Sequence, residues 1–98
     1  RAGKLKGRKR WIAFFHHPKG ALWVDDGARN ALRDKGKSLL PPGVSQCVDE
    51  FSKGDVVRIC DLQGTEFSRG ISRYDADEIR ARKLKGVEII HRDDLVIL

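Results

Sequence analysis

The sequence has few cysteines and no pattern of metal ligands. Its two cysteines, Cys47 and Cys60, lie in separate strand-like stretches, without a CxxC pair or a downstream histidine at zinc-finger spacing. This argues against a structural metal site. Because free cysteines are among the most buried residue types, we expect both thiols to be reduced and to act as small hydrophobes in a reducing compartment.

Long apolar runs are also missing. None approaches the roughly 18 to 20 residues that a membrane helix needs, and the basic N-terminal stretch is not followed by the apolar core of a signal peptide. We therefore expect a cytoplasmic protein that does not contact a membrane. Repeats and low-complexity tracts are absent as well, so the chain is predicted to form one small domain with one modest core.

Acidic residues are absent from the first ten positions, which hold six Lys and Arg, whereas the rest of the chain has fourteen basic and fourteen acidic residues. Like charges in series favour an extended chain. We predict that residues 1–10 form a basic interdomain linker and that residues 11–98 form the folded domain. An arm that binds nucleic acid non-specifically is the alternative. The following Trp11, Phe14 and Phe15 are expected to dock on the domain or on whatever precedes it.

The first half of the domain predicts a strand followed by a helix. Residues 21–24 are continuously apolar, which favours a short strand. Asp25 or Asp26 then caps a helix that runs to about residue 35, and Gly36 ends it. Capping accounts for the adjacent aspartates without a catalytic role.

The chain is organised around the loop at residues 36–44, GKSLLPPGV. The two prolines each fix φ near about −65°, so the loop should be stiff, and Gly36 and Gly43 are free to adopt backbone angles closed to other residues. We expect Leu39 and Leu40 to point inward as a plug. Lys37 and Ser38 are then the contacts that the loop directs outward.

The tripeptide Gly36-Lys37-Ser38 resembles the end of a Walker A phosphate loop but fails that motif twice. Position 31 is Ala where the first glycine belongs, and the tripeptide closes a predicted helix instead of opening one. We therefore predict no ATP binding by this motif.

The second half of the chain is dominated by strands. Residues 44–51, 55–62 and 65–72 predict an antiparallel meander, a short helix begins at the Asp75 capping box, and the last strands are predicted at 87–90 and 95–98. The main core is expected from Val48, Phe51, Val56, Val57, Ile59, Leu62, Phe67 and Ile71. The expected fold class is mainly β (α+β), a small closed or half-closed barrel with two short helices.

Two polar clusters could be mistaken for a metal site or a catalytic site. His16 and His17 are adjacent, so in an extended segment they point to opposite sides and do not form a metal pair. His91, Asp93 and Asp94 stand at a predicted strand break, where a turn explains them better than a catalytic site, because acid–base catalysis needs groups that converge from different elements.

Several stretches together resemble a known family, the PUA domain, and more narrowly the C-terminal PUA domain of bacterial glutamate 5-kinases. They cover nearly all of the chain from residue 8 and occur in the family's order. The stretches are 8–12 (RKRWI), 18–28 (PKGALWVDDGA), 36–44 (GKSLLPPGV), 51–60 (FSKGDVVRIC), 70–74 (GISRY) and 91–94 (HRDD). One departure is the short segment between Arg82 and Val87, where the family usually has a longer, partly helical stretch.

The resemblance implies a pseudo-barrel of mixed strands with two small helices. It also implies a parent enzyme that transfers phosphate from ATP, with Mg²⁺, to the side-chain carboxylate of glutamate in the first step of proline biosynthesis. That chemistry belongs to an upstream amino-acid-kinase domain, so the resemblance implies no catalytic, cofactor or metal residue in this chain. The domain would serve assembly or regulation, and self-association is left open.

RNA binding, the role of PUA domains in RNA-modifying enzymes, is the alternative function that the resemblance implies. In such enzymes RNA lies against the first helix, the loop after it and a late strand. The matching positions of this sequence are Arg29, Arg33, Lys37, Ser38 and Arg92. Solvated surface charges and helix-end cations explain the same residues without a ligand, and the neutral body favours weak RNA binding at most.

Overall fold

A five-stranded mixed sheet with three short helices forms the fold in the computed structural model, which describes residues 7–14 and 17–98. The helices are α1 (Gly7–Ala13), α2 (Asp26–Lys35) and α3 (Ala76–Arg80), and the strands are β1 (Gly20–Val24), β2 (Val44–Val48), β3 (Val56–Cys60), β4 (Glu66–Ile71) and β5 (Leu95–Ile97). The predicted mainly β class is confirmed. None of the helices in the described ranges has the length and apolarity to cross a membrane.

The strand order is β2-β1-β3-β4-β5, in which β1 runs parallel to β3 and the other neighbours are antiparallel. The predicted meander therefore holds for β3 and β4, but it is wrong for β2, which is separated from β3 by β1. The reason lies in the loop after α2, which returns the chain to the end of β1. There the N–H of Asp25 donates to the carbonyl of Gly43 (3.1 Å), next to the Val24–Val44 pair of the β1–β2 ladder.

The two faces of the sheet bury different residues. Val57 and Ile59 of β3 enter the main core, whereas Val56 packs on the other face against Ile12 of α1, which is fully buried. This is the alternation that a strand buried on both faces requires. Helix α1 adds a third helix to the two that the sequence predicts, and it begins inside the stretch 1–10 predicted as a linker, of which residues 1–6 lie outside the described residues.

Two predictions are corrected, one of core packing and one of a strand. Leu62 is 42% exposed and does not belong to the core. Ile12 anchors α1 on the domain, whereas Trp11 and Phe14 are 51% and 69% exposed, so of the two predicted docking sites for these aromatics a preceding part of the protein stays a prediction; Phe15 lies outside the described residues. Residues 87–90 do not form a strand but make a single bridge, between Leu39 and Ile90.

Helix α3 and Arg82, two residues after it, cover the outer edge of β2. The predicted capping box is present, with Asp75 accepting from the backbone at Glu78 and Glu78 accepting from the N–H of Asp75. Beyond the helix, Arg82 takes a left-handed backbone angle (φ 60°) and its guanidinium donates to the carbonyls of Val44 (2.6 Å) and Ser45 (2.8 Å). These bonds occupy edge carbonyls that could otherwise pair with another strand.

Candidate functional site

The loop after α2 owes its shape to a left-handed glycine and a proline turn. Gly36 (φ 61°) ends α2, and the next N–H, of Lys37, donates back to the carbonyl of Ala31 (3.1 Å). The loop closes in a 3₁₀ turn over Pro41–Gly43 that leads into β2. The tripeptide 36–38 therefore closes a helix instead of opening one, as the sequence predicts, and a helix N-terminus that could hold a phosphate does not begin there.

Hydrogen bonds join this loop to the segment 89–92, about fifty residues later in the chain. The N–H of Leu39 donates to the carbonyl of Ile90 (2.9 Å), and the N–H of Ile89 donates to the carbonyl of Leu39 (2.7 Å). A third bond runs from the N–H of Arg92 to the Ser38 hydroxyl (2.8 Å). The result is that Lys37 and Arg92, which are distant in sequence, are held on one surface.

A shallow cavity of about 380 Å³ lies on this surface, lined by Lys37, Ser38, Leu40, Glu88, His91 and Arg92. The side chains of Lys37 and Arg92 are exposed and make no ion pair with any residue that the structure describes. The His91 ring is held in place, since its Nδ1 accepts from the N–H of Asp93 (3.0 Å) and its Nε2 lies 3.8 Å from Glu88. The cavity therefore offers two cations without an acidic partner among the described residues, beside an imidazole that lies close to Glu88.

The structure divides the five residues predicted to contact RNA. It brings together Lys37, Ser38 and Arg92, although the Ser38 hydroxyl already accepts a bond from Arg92 and so positions the loop. Arg33 is exposed on α2 and its Nε donates to its neighbour Asp34 (3.1 Å). Arg29 is also engaged elsewhere, as described next.

The partner of Arg29 is Asp61, a buried carboxylate at the end of β3, whose oxygen lies 3.7 Å from the guanidinium. Asp61 also accepts from the N–H groups of Gln63 (2.9 Å) and Thr65 (3.0 Å), and so shapes the turn between β3 and β4. Arg29 thus joins α2 to this turn and is turned away from the cavity beside Arg92. Asp61 gave no signal in the sequence, because nothing local marks a pairing over 32 positions.

A family model described as the PUA domain matches residues 20–92, which run from β1 to the start of the last 3₁₀ turn. The chain belongs to the PUA domain family. The predicted likeness to the C-terminal PUA domain of glutamate 5-kinases is confirmed as well. The glutamate 5-kinase of Dictyoglomus thermophilum is 43% identical over 107 aligned positions, which take in 96% of this chain and 29% of the kinase. The chain therefore spans about three tenths of the length of the curated relatives it matches.

Solved structures show the same PUA fold. A PUA domain from Aeropyrum pernix K1 in a tartrate complex has a TM-score of 0.66 and 31% identity, over 74% of this chain and 41% of that one. A chain of the archaeal box H/ACA sRNP Nop10–Cbf5 complex has a TM-score of 0.68 and 22% identity, over 81% of this chain and 24% of that one. At that identity the second likeness shows the fold alone.

The glutamate 5-kinase of Dictyoglomus thermophilum is longer than this PUA domain over the aligned region. The aligned 107 positions exceed the 98 residues of the chain, so the relative carries residues that have no counterpart here. In this chain Arg82, two residues after α3, contacts the edge of β2, and an apolar cavity of about 260 Å³ lies between it and the proline turn.

The plug predicted from the loop of the PUA domain is half right. Leu39 is 1% exposed and belongs to the main core, but Leu40 is 52% exposed. Gly43 also has a different role from the one predicted, since its φ is not positive. A Cβ at Gly43 would lie 2.7 Å from the Cβ of Ala28, so this glycine allows the loop to approach α2 closely.

The cysteines of the PUA domain take no part in this surface. Both thiols are free, Cys60 is buried and Cys47 partly buried, and burial raises the pKa of each thiol, which keeps it protonated at neutral pH. Groups of three or more His, Cys, Asp or Glu placed to hold a metal are absent from the described ranges, which include His17 but not His16.

Lys9 and His91 are the residues near Arg92 that sequence reasoning missed. Lys9 lies on α1 and lines a second cavity together with Lys37 and Arg92. A signal existed for Lys9, because the apolar residue three positions later, Ile12, marks a helix face at the spacing that places the two side chains together. His91 was interpreted as part of a turn, which it is, but its ring also faces the cavity beside Arg92.

Proposed function

We propose that this chain is a non-catalytic accessory PUA domain of a glutamate 5-kinase, and that it serves the assembly or regulation of that enzyme. The parent enzyme would use ATP and Mg²⁺ to phosphorylate glutamate in the cytoplasm, at the first step of proline biosynthesis. The residues for that reaction would belong to an upstream amino-acid-kinase domain, and no ATP, metal or glutamate ligand is assigned to this chain.

One observation carries this proposal: the likeness to glutamate 5-kinases extends beyond the PUA fold itself. The PUA model matches residues 20–92, whereas the alignment with the Dictyoglomus thermophilum kinase takes in 96% of the chain. The remaining 4% is too short to leave out all of α1, which spans seven residues. The alignment therefore includes residues of α1, the helix that packs on the outer face of the sheet, as well as those of the sheet.

The surface of α1 supports a contact with a further domain. Trp11 of α1 and Phe14, directly after it, are separated by three positions, and the N–H of Phe14 still donates to the carbonyl of Arg10 (3.2 Å), so the two side chains are neighbours on this surface, and both are mostly exposed. Large aromatic side chains contribute strongly to protein interfaces when they become buried. The neutral charge balance of residues 11–98 also favours a protein partner over non-specific phosphate binding.

RNA binding is the second candidate, because Lys37 and Arg92 are held side by side without an acidic partner among the described residues. A PUA-fold chain occurs in the Nop10–Cbf5 complex of the archaeal box H/ACA sRNP, and at 22% identity that likeness concerns the fold alone. Shape recognition of an RNA helix needs several phosphate contacts at once. Arg29 and Arg33, which have carboxylate neighbours, contribute less to such a surface than the sequence suggests.

Titration with a tRNA-sized RNA separates the two candidates. We expect the chain to bind no tighter than the roughly 10⁻⁴ to 10⁻⁶ M of non-specific association, and we expect removal of residues 1–6 to abolish most of this binding, because the basic residues there are not balanced by acids. Lys53→Ala, at an exposed position away from the cavity, is the control. Sub-micromolar, sequence-selective binding that survives the truncation and is lost in Arg92→Ala would instead establish the RNA function.

A further inference from the structure

A cavity of about 440 Å³ opens where α1, the end of α2 and the segment from the Arg92–Asp94 turn to β5 meet. Each of these three parts of the chain contributes one cation to its lining: Lys9, Lys37 and Arg92. None of the three side chains makes an ion pair with a residue in the described ranges, whereas most other described arginines have a carboxylate or carbonyl partner. The cavity thus has a cationic rim.

The floor of the same cavity is apolar. It is formed by Leu32 of α2 and by residues 95–97 of β5, of which Ile97 is 36% exposed and the others are buried. The one carboxylate in the lining, Asp93, lies 3.6 Å from the His91 ring. A ligand that matches this surface carries a negative charge at one end and an apolar group at the other.

The fold holds the backbone segments that carry the three cations of the rim. Lys37 and Arg92 lie on segments joined by the three bonds of the loop, and Lys9 lies on a helix that is anchored by Ile12 in a buried cluster with Val56 and Val96. Because the backbone positions are fixed before a ligand arrives, binding has to order the three side chains but not the segments that carry them. Three cations of like sign on one rim repel each other, and an anion relieves that repulsion.

We propose that this cavity binds a small phosphate monoester, with its phosphate on Lys9, Lys37 and Arg92 and its carbon body on the floor. Arg presents a planar fork of donors and Lys a compact charge, and both suit the oxygens of a phosphate dianion. The volume falls within the range of about 300 to 1,000 Å³ that is typical of small-molecule pockets. A free metabolite and the 5′-phosphorylated end of an RNA strand both present this chemistry.

The test uses the 98-residue chain and phenyl phosphate, followed by amide NMR and calorimetry. We expect saturable shifts at Gly36 and Val96, and an affinity at least about tenfold higher than that for inorganic phosphate. Arg92→Ala should weaken the binding of phenyl phosphate about tenfold, since it removes hydrogen bonds between two charged groups, and Lys9→Ala and Lys37→Ala should each weaken this binding severalfold. Ile97→Ser should weaken the binding of phenyl phosphate but not the binding of inorganic phosphate.

Control variants distinguish binding in the cavity from non-specific binding to surface cations. Lys53→Ala and the pair Lys4→Gln with Lys6→Gln should leave the affinity unchanged, and Arg92→Lys, which keeps the charge, should recover part of the loss if Arg92→Ala perturbs the fold. Competition by a 5′-phosphorylated RNA oligonucleotide, but not by its 5′-hydroxyl form, would identify the RNA end as the source; competition by neither would identify a free metabolite. Equal affinities for phenyl phosphate and inorganic phosphate, or unchanged binding in Arg92→Ala and Lys9→Ala, would overturn the proposal.

Discussion

Leu39→Ala is expected to lower the free energy of unfolding by about 3 kcal/mol, within the range of about 2 to 5 kcal/mol for leucine-to-alanine changes in a core. Leu39 is 1% exposed and packs in the main cluster, so truncation leaves a cavity beneath the loop. Leu40→Ala is the matched control one position later, at a side chain that is 52% exposed. It should change the stability by less than about 0.5 kcal/mol. Urea denaturation of both variants measures the difference.

The same pair of variants tests whether the loop controls the cation surface. Leu39 is joined to Ile89 and Ile90 by backbone bonds, so a cavity at Leu39 should also loosen the position of Lys37 relative to Arg92. Hydrogen exchange at the Leu39 amide should therefore become faster in Leu39→Ala and stay unchanged in Leu40→Ala. Equal stability losses in the two variants would contradict the view that only Leu39 is the plug.

Gly43→Val should destabilise the domain by about 1 to 3 kcal/mol, which is typical of overpacking. The new Cβ would lie 2.7 Å from the Cβ of Ala28, so either the loop or α2 must move. Lys37→Ala removes only an exposed charge from the same loop and should stay within about 0.5 kcal/mol of the parent. Thermal melts of the two variants compare the effects.

A double-mutant cycle identifies the contact that causes this loss. Ala28→Gly removes the methyl group that a side chain at position 43 would meet, although it costs roughly 1 kcal/mol by itself as a helix glycine. The double variant Gly43→Ala with Ala28→Gly should therefore lose less stability than the sum of the losses in the two single variants. Strict additivity would mean that backbone restriction at Gly43, and not its approach to Ala28, is what matters.

Local features of the fold were predictable from the sequence because they depend on neighbouring residues. The helix capped by Asp25 and ended by Gly36 and the capping box at Asp75 follow from side chains that bond to nearby backbone groups. The position of β2 in the sheet was not predictable in this way. It depends on the loop bringing Gly43 back to Asp25, and alternating apolar residues say which face of a strand is buried but not which strand lies beside it.

The candidate site was predictable only in part, for the same reason. The family resemblance pointed to Lys37, Ser38 and Arg92, and the structure brings these together. It could not reveal that Arg29 is paired with Asp61, because that contact joins α2 to a turn far along the chain. Leu39 and Leu40 are chemically identical, so only the bridge to Ile90 decides which of them is buried.

Glutamate-dependent ATP consumption by the polypeptide that carries this chain, with and without residues 7–98, tests the central claim most directly. If this is the accessory domain of a glutamate 5-kinase, the complete polypeptide phosphorylates glutamate and the truncated one keeps its turnover while its assembly or its response to effectors changes. The 98-residue chain alone is then expected to show no glutamate-dependent ATP consumption. A complete polypeptide without glutamate-dependent ATP consumption would contradict the parentage, and a folded, normally assembled truncated enzyme without turnover would contradict the non-catalytic role.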